Sequence, residues 1–228
     1  MIRLNRYIAT ATKYSRRQAD GFIRRGEITI NGTVISKLAT QVGPGDVVAL
    51  NGQVLTPLQK VYYVLNKPRG YICSLSDSHA EHLITELVPA SPPVFTVGRL
   101  DKETRGLILL TNDGDLTLKL THPSYQKEKE YLVFLDKDLH NKDQEKLLRG
   151  FSLDNHKMVF DSIKKISSQE YSVVLHQGYN RQIRKMFNAL GYQILDLLRI
   201  RIDKFVLRDL PSGEFLNLSG TDIHKYFD

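Results

Sequence analysis

GRLDKETRGLILLTNDG, residues 98–114, decides the fold. Its apolar run Leu107, Ile108, Leu109 and Leu110 is bounded by Gly106 on one side and by Asn112-Asp113-Gly114 on the other, which predicts a buried strand between breakers. Asn112-Asp113-Gly114 reads as a turn with no metal role, because no further acidic residues follow at loop-ligand spacing. Working outward, similar short runs alternate with turn signals: VYYVLN and VFTVG upstream, YLVFL, YSVVL and KFVL downstream. Long helical patterns are few, the best being 144–148 and 181–190. The expected fold is α+β, a mostly antiparallel sheet with peripheral helices.

Residues 1–57 read differently. Leu4, Ile8 and Ala11 recur at helical spacing, and Ser15 with Gln18 has the form of a capping box opening a second helix from Arg16 to Arg25, ended by Gly26. Ala19, Phe22 and Ile23 form that helix's apolar stripe, which leaves Arg16, Arg17, Arg24 and Arg25 toward water or a ligand. Two hairpin signals follow, Asn31-Gly32 between Ile28-Thr29-Ile30 and Val34-Ile35, and Asn51-Gly52 between Val47-Val48 and Val54-Leu55. The expected module is two helices followed by short strands. Residues 56–60, with Pro57, read as a linker, so the domains are expected at 1–57 and 58–228.

Charge follows the same division. The chain carries a net +7, and residues 1–57 hold eight basic and three acidic side chains, including Arg3, Arg6, Arg16, Arg17, Arg24 and Arg25. Such a block suits neutralisation of nucleic-acid phosphates, although charge alone fits a solvated helix face too. Hydrophobic residues make up 41% and charged residues 25%, which excludes collagenous, low-complexity and wholly disordered classes. One cysteine, Cys73, cannot close an intrachain disulfide, and the longest apolar run near it, 61–65, is far short of a membrane helix. The lack of an apolar stretch behind the basic N-terminus argues against a secretory signal, and the cytoplasm is the expected location.

Four segments of the second domain can carry chemistry. Asn66-Lys67-Pro68-Arg69-Gly70 is expected to turn and display two cations. Asp101 lies just beyond an apolar strand with Arg99 beside it and Arg105 nearby, and an arginine against a carboxylate favours its ionised form. Tyr131 shares a strand face with Lys129 and Val133. Arg181, Arg184 and Lys185 open a helix, with Arg181 and Lys185 on one face and Arg184 on the other, so that one arginine can reach inward while the others meet phosphate. Taken singly, each has a plainer reading: a basic loop, a turn aspartate in a structural ion pair, a half-buried sheet tyrosine.

Together they are specific. NKPRGY, GRLDKETRGLILLTNDG, KEYLV and GYNRQIRKM, in that order behind RLNRYIA, SRRQAD, Gly26 and ITINGTVI, resemble the RsuA-type ribosomal RNA pseudouridine synthases, and the N-terminal set resembles their alpha-L RNA-binding module. That module usually has glycine where this chain has Thr12, which bears on the helix-to-helix turn. The resemblance spans essentially the whole chain and implies isomerisation of uridine to pseudouridine with no cofactor, no metal and no nucleotide. Its partner would be ribosomal RNA or an assembling ribosomal subunit, met by a monomer, with no membrane involved. It further implies Asp101 as nucleophile, Tyr131 as a ring stacked on the target base that assists proton removal, and Arg184 paired with Asp101, Arg181 being the second candidate. Arg99, Lys67 and Arg69 are then expected to contact RNA, with Arg181 and Lys185 on phosphates. The NRQIR form leans toward large-subunit RNA. The alternatives are a small-subunit enzyme and a non-catalytic RNA-binding assembly factor, and the joint presence of Asp101, Tyr131 and Arg184 speaks against the latter. An aspartate-dependent small-molecule hydrolase fits poorly, having no paired acid at suggestive spacing.

Overall fold

The computed structural model describes residues 1–74 and 81–227, the side chains of 224–227 excepted. The chain divides into two compact units, Met1–Lys60 with Ser91–Pro93, and Val61–Ala90 with Val94–Asp228.

In the first unit, strand β1 (Ile2–Arg3) leads into helices α1 (Leu4–Ala11) and α2 (Arg16–Arg24), followed by β2 (Ile28–Ile30), β3 (Thr33–Ile35), β4 (Gln41–Val42), β5 (Val48–Leu50) and β6 (Gln53–Val54). The capping box at Ser15 forms as the spacing predicts: the Gln18 amide donates to Ser15 Oγ at 3.3 Å and the Ser15 amide donates to Gln18 Oε1 at 2.8 Å. Both Asn-Gly pairs turn as type I′ hairpins, with φ of 51° and 81° at Asn31 and Gly32 and 49° and 81° at Asn51 and Gly52. They set the order β3-β2-β5-β6. Leu4, Ile8, Ala19, Ile23, Ile28 and Val48 close the core. Arg3, Arg16, Arg17, Arg24 and Arg25 are left exposed.

The second unit is built on a nine-stranded sheet. In chain order its elements are β7 (Tyr62–Lys67), β8 (Phe95–Val97), β9 (Arg105–Thr111), α3 (Gly114–Thr121), β10 (Lys129–Leu135), α4 (Asn141–Arg149), β11 (Phe151–Leu153), β12 (His156–Met158), β13 (Ser162–Ser167), β14 (Glu170–Leu175), α5 (Gln182–Ala189), β15 (Ile194–Ile202), β16 (Phe205–Val206), β17 (Phe215–Leu218) and α6 (Gly220–Phe227). Strand order is β13-β14-β10-β15-β9-β7-β17, with β8 on β9 and β16 on β15; β11 and β12 form a separate hairpin. Every pairing is antiparallel except that of β15 with β9, so the mostly antiparallel α+β expectation holds.

Both sheet faces are covered, and this explains why the central runs do not alternate. Tyr63, Leu65, Ile108 and Leu110 point into one core with Ile183, Met186 and Phe187 of α5 and Leu147 of α4. Their neighbours Tyr62, Val64, Leu107 and Leu109 point into the other, against Leu116 and Leu120 of α3 and Ile223 of α6. Fully burying each such aliphatic side chain stabilises the fold by about 1.5–3 kcal/mol. Asn112-Asp113-Gly114 is more than a turn. Asp113 is the N-cap of α3, its carboxylate accepting from the amides of Asp115 at 3.0 Å and Leu116 at 3.4 Å. Among the described residues no helix is long and apolar enough to cross a membrane.

Candidate active site

Asp101 sits on the loop of residues 98–104 between β8 and β9, held in shape from beneath. Lys67, at the end of β7, is wholly buried, and its Nζ lies close to four backbone carbonyl oxygens: Pro68 (3.0 Å), Asp101 (3.2 Å), Lys102 (3.2 Å) and Thr104 (2.7 Å). This corrects the expectation of a displayed cation. Lys67 is turned inward and clamps the Asp101 loop, and it has no free face for RNA. Burial lowers its pKa to about 8, while the nearby Cys73, Glu103 and Asp101 act to raise it.

The Asp101 side chain is 31% exposed, and Arg181 Nη1 lies 3.8 Å from its Oδ2. Arg181 precedes α5 in the left-handed region, at φ 51°. Arg184, expected to make this pair, instead reaches the loop that carries the aspartate: its Nη2 lies 3.5 Å from both the Glu103 carbonyl oxygen and Thr104 Oγ1. Its buried Nε has no hydrogen-bond partner among the described residues. Burial and the adjacent Arg181 charge both lower the Arg184 pKa. The two arginines thus divide the work, one pairing with the carboxylate and one bracing its loop.

Tyr131 faces inward from β10 and is 8% exposed. Its hydroxyl meets Arg199 of β15, whose Nη1 is 3.5 Å away and whose Nε donates to the Leu107 carbonyl at 2.7 Å. Lys129, two residues before Tyr131 on the same strand face, donates to the carbonyls of Lys127 (3.0 Å) and His176 (3.1 Å). Burial first, and then the Arg199 charge, push its pKa down to about 8. These side chains line one cleft of about 560 Å³, within the usual range for small-molecule sites. Among the described residues Arg99, Lys127, Lys129, Arg181, Arg184 and Arg199 are its cations, and Asp101 is its one carboxylate. That charge balance suits a phosphodiester-linked nucleotide drawn in beside a carboxylate.

Arg69 and Lys185 are not brought into the cleft. Exposed Arg69 pairs with Asp196 at 2.6 Å, a carboxylate shared with Arg105. Burial would raise the Asp196 pKa, but hydrogen bonds from Arg105 and Arg69 hold it at about 2. Lys185 pairs with Asp154 at 2.5 Å. Reading the sequence missed Arg199 altogether. Its signal is faint: Arg199 and Arg201 look equivalent in the alternation of the strand, and the register shift that sets buried Arg199 opposite Tyr131 and more accessible Arg201 opposite Glu130 is not written in it.

Residues 61–189 match the family of RNA pseudouridylate synthases. The chain belongs to that family. Residues 2–48 match the S4 domain, so an S4 domain precedes the synthase domain. The chain is 37% identical over 233 residues to the dual-specificity RNA pseudouridine synthase RluF of Escherichia coli (strain K12), an alignment covering 99% of this chain and 78% of that protein. It is 33% identical over 232 residues to the ribosomal large subunit pseudouridine synthase B of Bacillus subtilis (strain 168), covering 99% and 95%. A solved pseudouridylate synthase with 28% sequence identity superposes with a TM-score of 0.71, over 99% of this chain and all of that one. This RNA-modifying enzyme therefore shares its two-domain order with known synthases along nearly its whole length.

Proposed function

We propose that the enzyme converts a specific uridine of ribosomal RNA, in the large subunit, to pseudouridine. Domain 1–57 anchors RNA through Arg3, Arg6, Arg16, Arg17, Arg24 and Arg25, and domain 58–228 carries out the reaction. Isomerisation breaks the C1′–N1 bond, turns the uracil and joins its C5 to C1′, with no net redox change. It requires an extruded nucleotide, an anionic nucleophile and compensation for the phosphates. Asp101 is the nucleophile, acting at C1′ of the ribose or C6 of the base. Arg181 pairs with it, Arg184 and Lys67 fix the loop that presents it, and the Tyr131 ring supports the base while its hydroxyl assists proton removal. Arg99 and Arg181, at the mouth of the cleft, meet the flanking phosphates.

The observation that carries this reading is Asp101, the single carboxylate among the described residues of a cleft whose other charged side chains are cations, 3.8 Å from Arg181. The large-subunit assignment draws support from the Bacillus subtilis relative, whose name states that substrate, and from the NRQIR form of residues 180–184. Mapping pseudouridines in ribosomal RNA from cells with and without the gene tests both. Loss of a large-subunit pseudouridine, restored by the wild-type chain, is the expected result. Loss confined to small-subunit RNA overturns the subunit assignment, and an unchanged map overturns the ribosomal substrate.

A further inference from the structure

A buried guanidinium must have acceptors for its donors, because arginine does not shed its charge at physiological pH and burying an uncompensated charge is expensive. Arg199 is 2% exposed and only partly satisfied. Nε is held by the Leu107 carbonyl at 2.7 Å and Nη1 reaches Tyr131 Oη at 3.5 Å, while Nη2 has no hydrogen-bond partner among the described residues. The side chain lines the cleft that contains Asp101. Its backbone is positioned with care. Arg199 pairs with Gly106 in the one parallel pairing of the sheet, and a Cβ at Gly106, where φ is 107°, would collide with the Arg199 backbone oxygen. The approach therefore needs glycine at 106, and it ties Arg199 to the same strand that the Asp101 loop enters.

We propose that Arg199 is a substrate-contacting residue whose unpartnered Nη2 donates to a carbonyl oxygen of the target uracil and holds the base while it is detached from the sugar. This rests on reading the cleft as the uridine-isomerising site. When the C1′–N1 bond breaks, its electron pair leaves with the base and spreads over N1, O2 and O4. When C5 joins C1′, the C5 proton is lost and N1 takes one up, so that atoms and charge balance. Between these steps the uracil carries negative charge inside a cleft where Asp101 is the only carboxylate among the described residues. A fixed cation beside the base gains strength as that charge develops, which is how a donor accelerates a reaction rather than only binding its substrate. The contact to Tyr131 also places Arg199 beside the ring that supports the base.

Single-turnover rates at saturating RNA, normalised to folded protein, together with RNA Kd, test this in the full chain. Arg199→Met is expected to slow the reaction on the order of 100-fold or more, the range for loss of one charge-stabilising donor, with Kd within about threefold of wild type. Arg199→Lys, which keeps the charge without the planar fork, is expected to recover at least about tenfold of that loss and still fall about tenfold short of wild type. A merely structural arginine predicts lower thermal stability in both variants and wild-type rates per folded molecule, and that result overturns the inference. Should Arg199→Met fail to fold, Arg199→Lys decides alone: a wild-type rate in the folded lysine variant overturns it. Asp101→Asn runs in parallel. Full turnover by that variant would overturn the underlying reading of the cleft, whereas an inactive Asp101→Asn beside fully active Arg199 variants would overturn only the role given to Arg199.

Discussion

The basic face of the S4 domain and the buried cations in and beneath the synthase cleft use the same residue types in opposite ways. Arg16, Arg17 and Arg24 stand in solvent at the start and end of a nine-residue helix whose buried stripe is Ala19 and Ile23. Their charge is available to any phosphate and is screened by any salt. Lys67 and Arg199 are 0% and 2% exposed, and their positions are set by backbone carbonyls rather than by carboxylates. The exposed set is proposed to supply affinity over a broad surface, whereas the buried set supplies geometry: one cation shapes the loop bearing Asp101 and another lies against Tyr131. Like charges therefore carry unlike consequences, and substitutions should separate them.

The largest effect is expected at Lys67. Lys67→Met leaves the carbonyls of Pro68, Asp101, Lys102 and Thr104 without their shared donor, at a cost of about 2–5 kcal/mol in stability. Denaturant melts measure it, and a wild-type midpoint would place Lys67 with the dispensable surface charges. Tyr131→Ala should weaken substrate binding by about 1–3 kcal/mol, the range for a base stacked on an aromatic ring. Tyr131→Phe should bind normally and turn over slowly. Full activity in both variants would return Tyr131 to the role of a core residue.

Asp196 offers a test by pH. Its folded pKa, about 2, lies below its ordinary value of 3.8, so its stabilising contribution is present above pH 4 and is lost as pH falls toward 2. The side chain is 25% exposed, and the contribution at neutral pH is up to about 2 kcal/mol. Asp196→Asn should melt lower than wild type at pH 7 and coincide with it near pH 2; parallel curves across that window would exclude the linkage. The smallest effect per side chain belongs to the exposed set. Replacing Arg16, Arg17 and Arg24 with Gln should leave the rate at saturating RNA intact, weaken binding and flatten the salt dependence. Each lost phosphate contact contributes about 0.7–0.9 to the log–log slope. An unchanged slope would make this face a solvated surface.

What could be read in advance follows the same line between local and converging signals. The capping box at Ser15, both Asn-Gly hairpins and the run at 107–110 are written in contiguous residues, and each formed where expected. Gly114–Thr121 escaped notice as a helix because its Asn-Asp-Gly opening has the composition of a turn, yet Asp113 serves as its cap. Lys67 looked like a displayed charge since it adjoins Pro68 and Gly70, and no local pattern reveals carbonyls arriving from residues 101–104. Arg199 was hidden for the same reason: its partners, Leu107 and Tyr131, lie on two other strands. The residues brought to the cleft include Asp101, Tyr131, Arg181 and Arg184, but which arginine faces the carboxylate depends on the left-handed backbone at Arg181, which its residue type does not announce.

The Asp101 carboxylate is proposed to perform the isomerisation. Asp101→Asn preserves the shape of the side chain and removes its negative charge, so single-turnover assays with ribosomal RNA, paired with RNA-binding measurements, test that claim most directly. The expected result is no detectable pseudouridine, with RNA affinity within a few-fold of wild type and a melting curve close to it. Pseudouridine formed at the wild-type rate by a clean preparation of the asparagine variant would contradict the account.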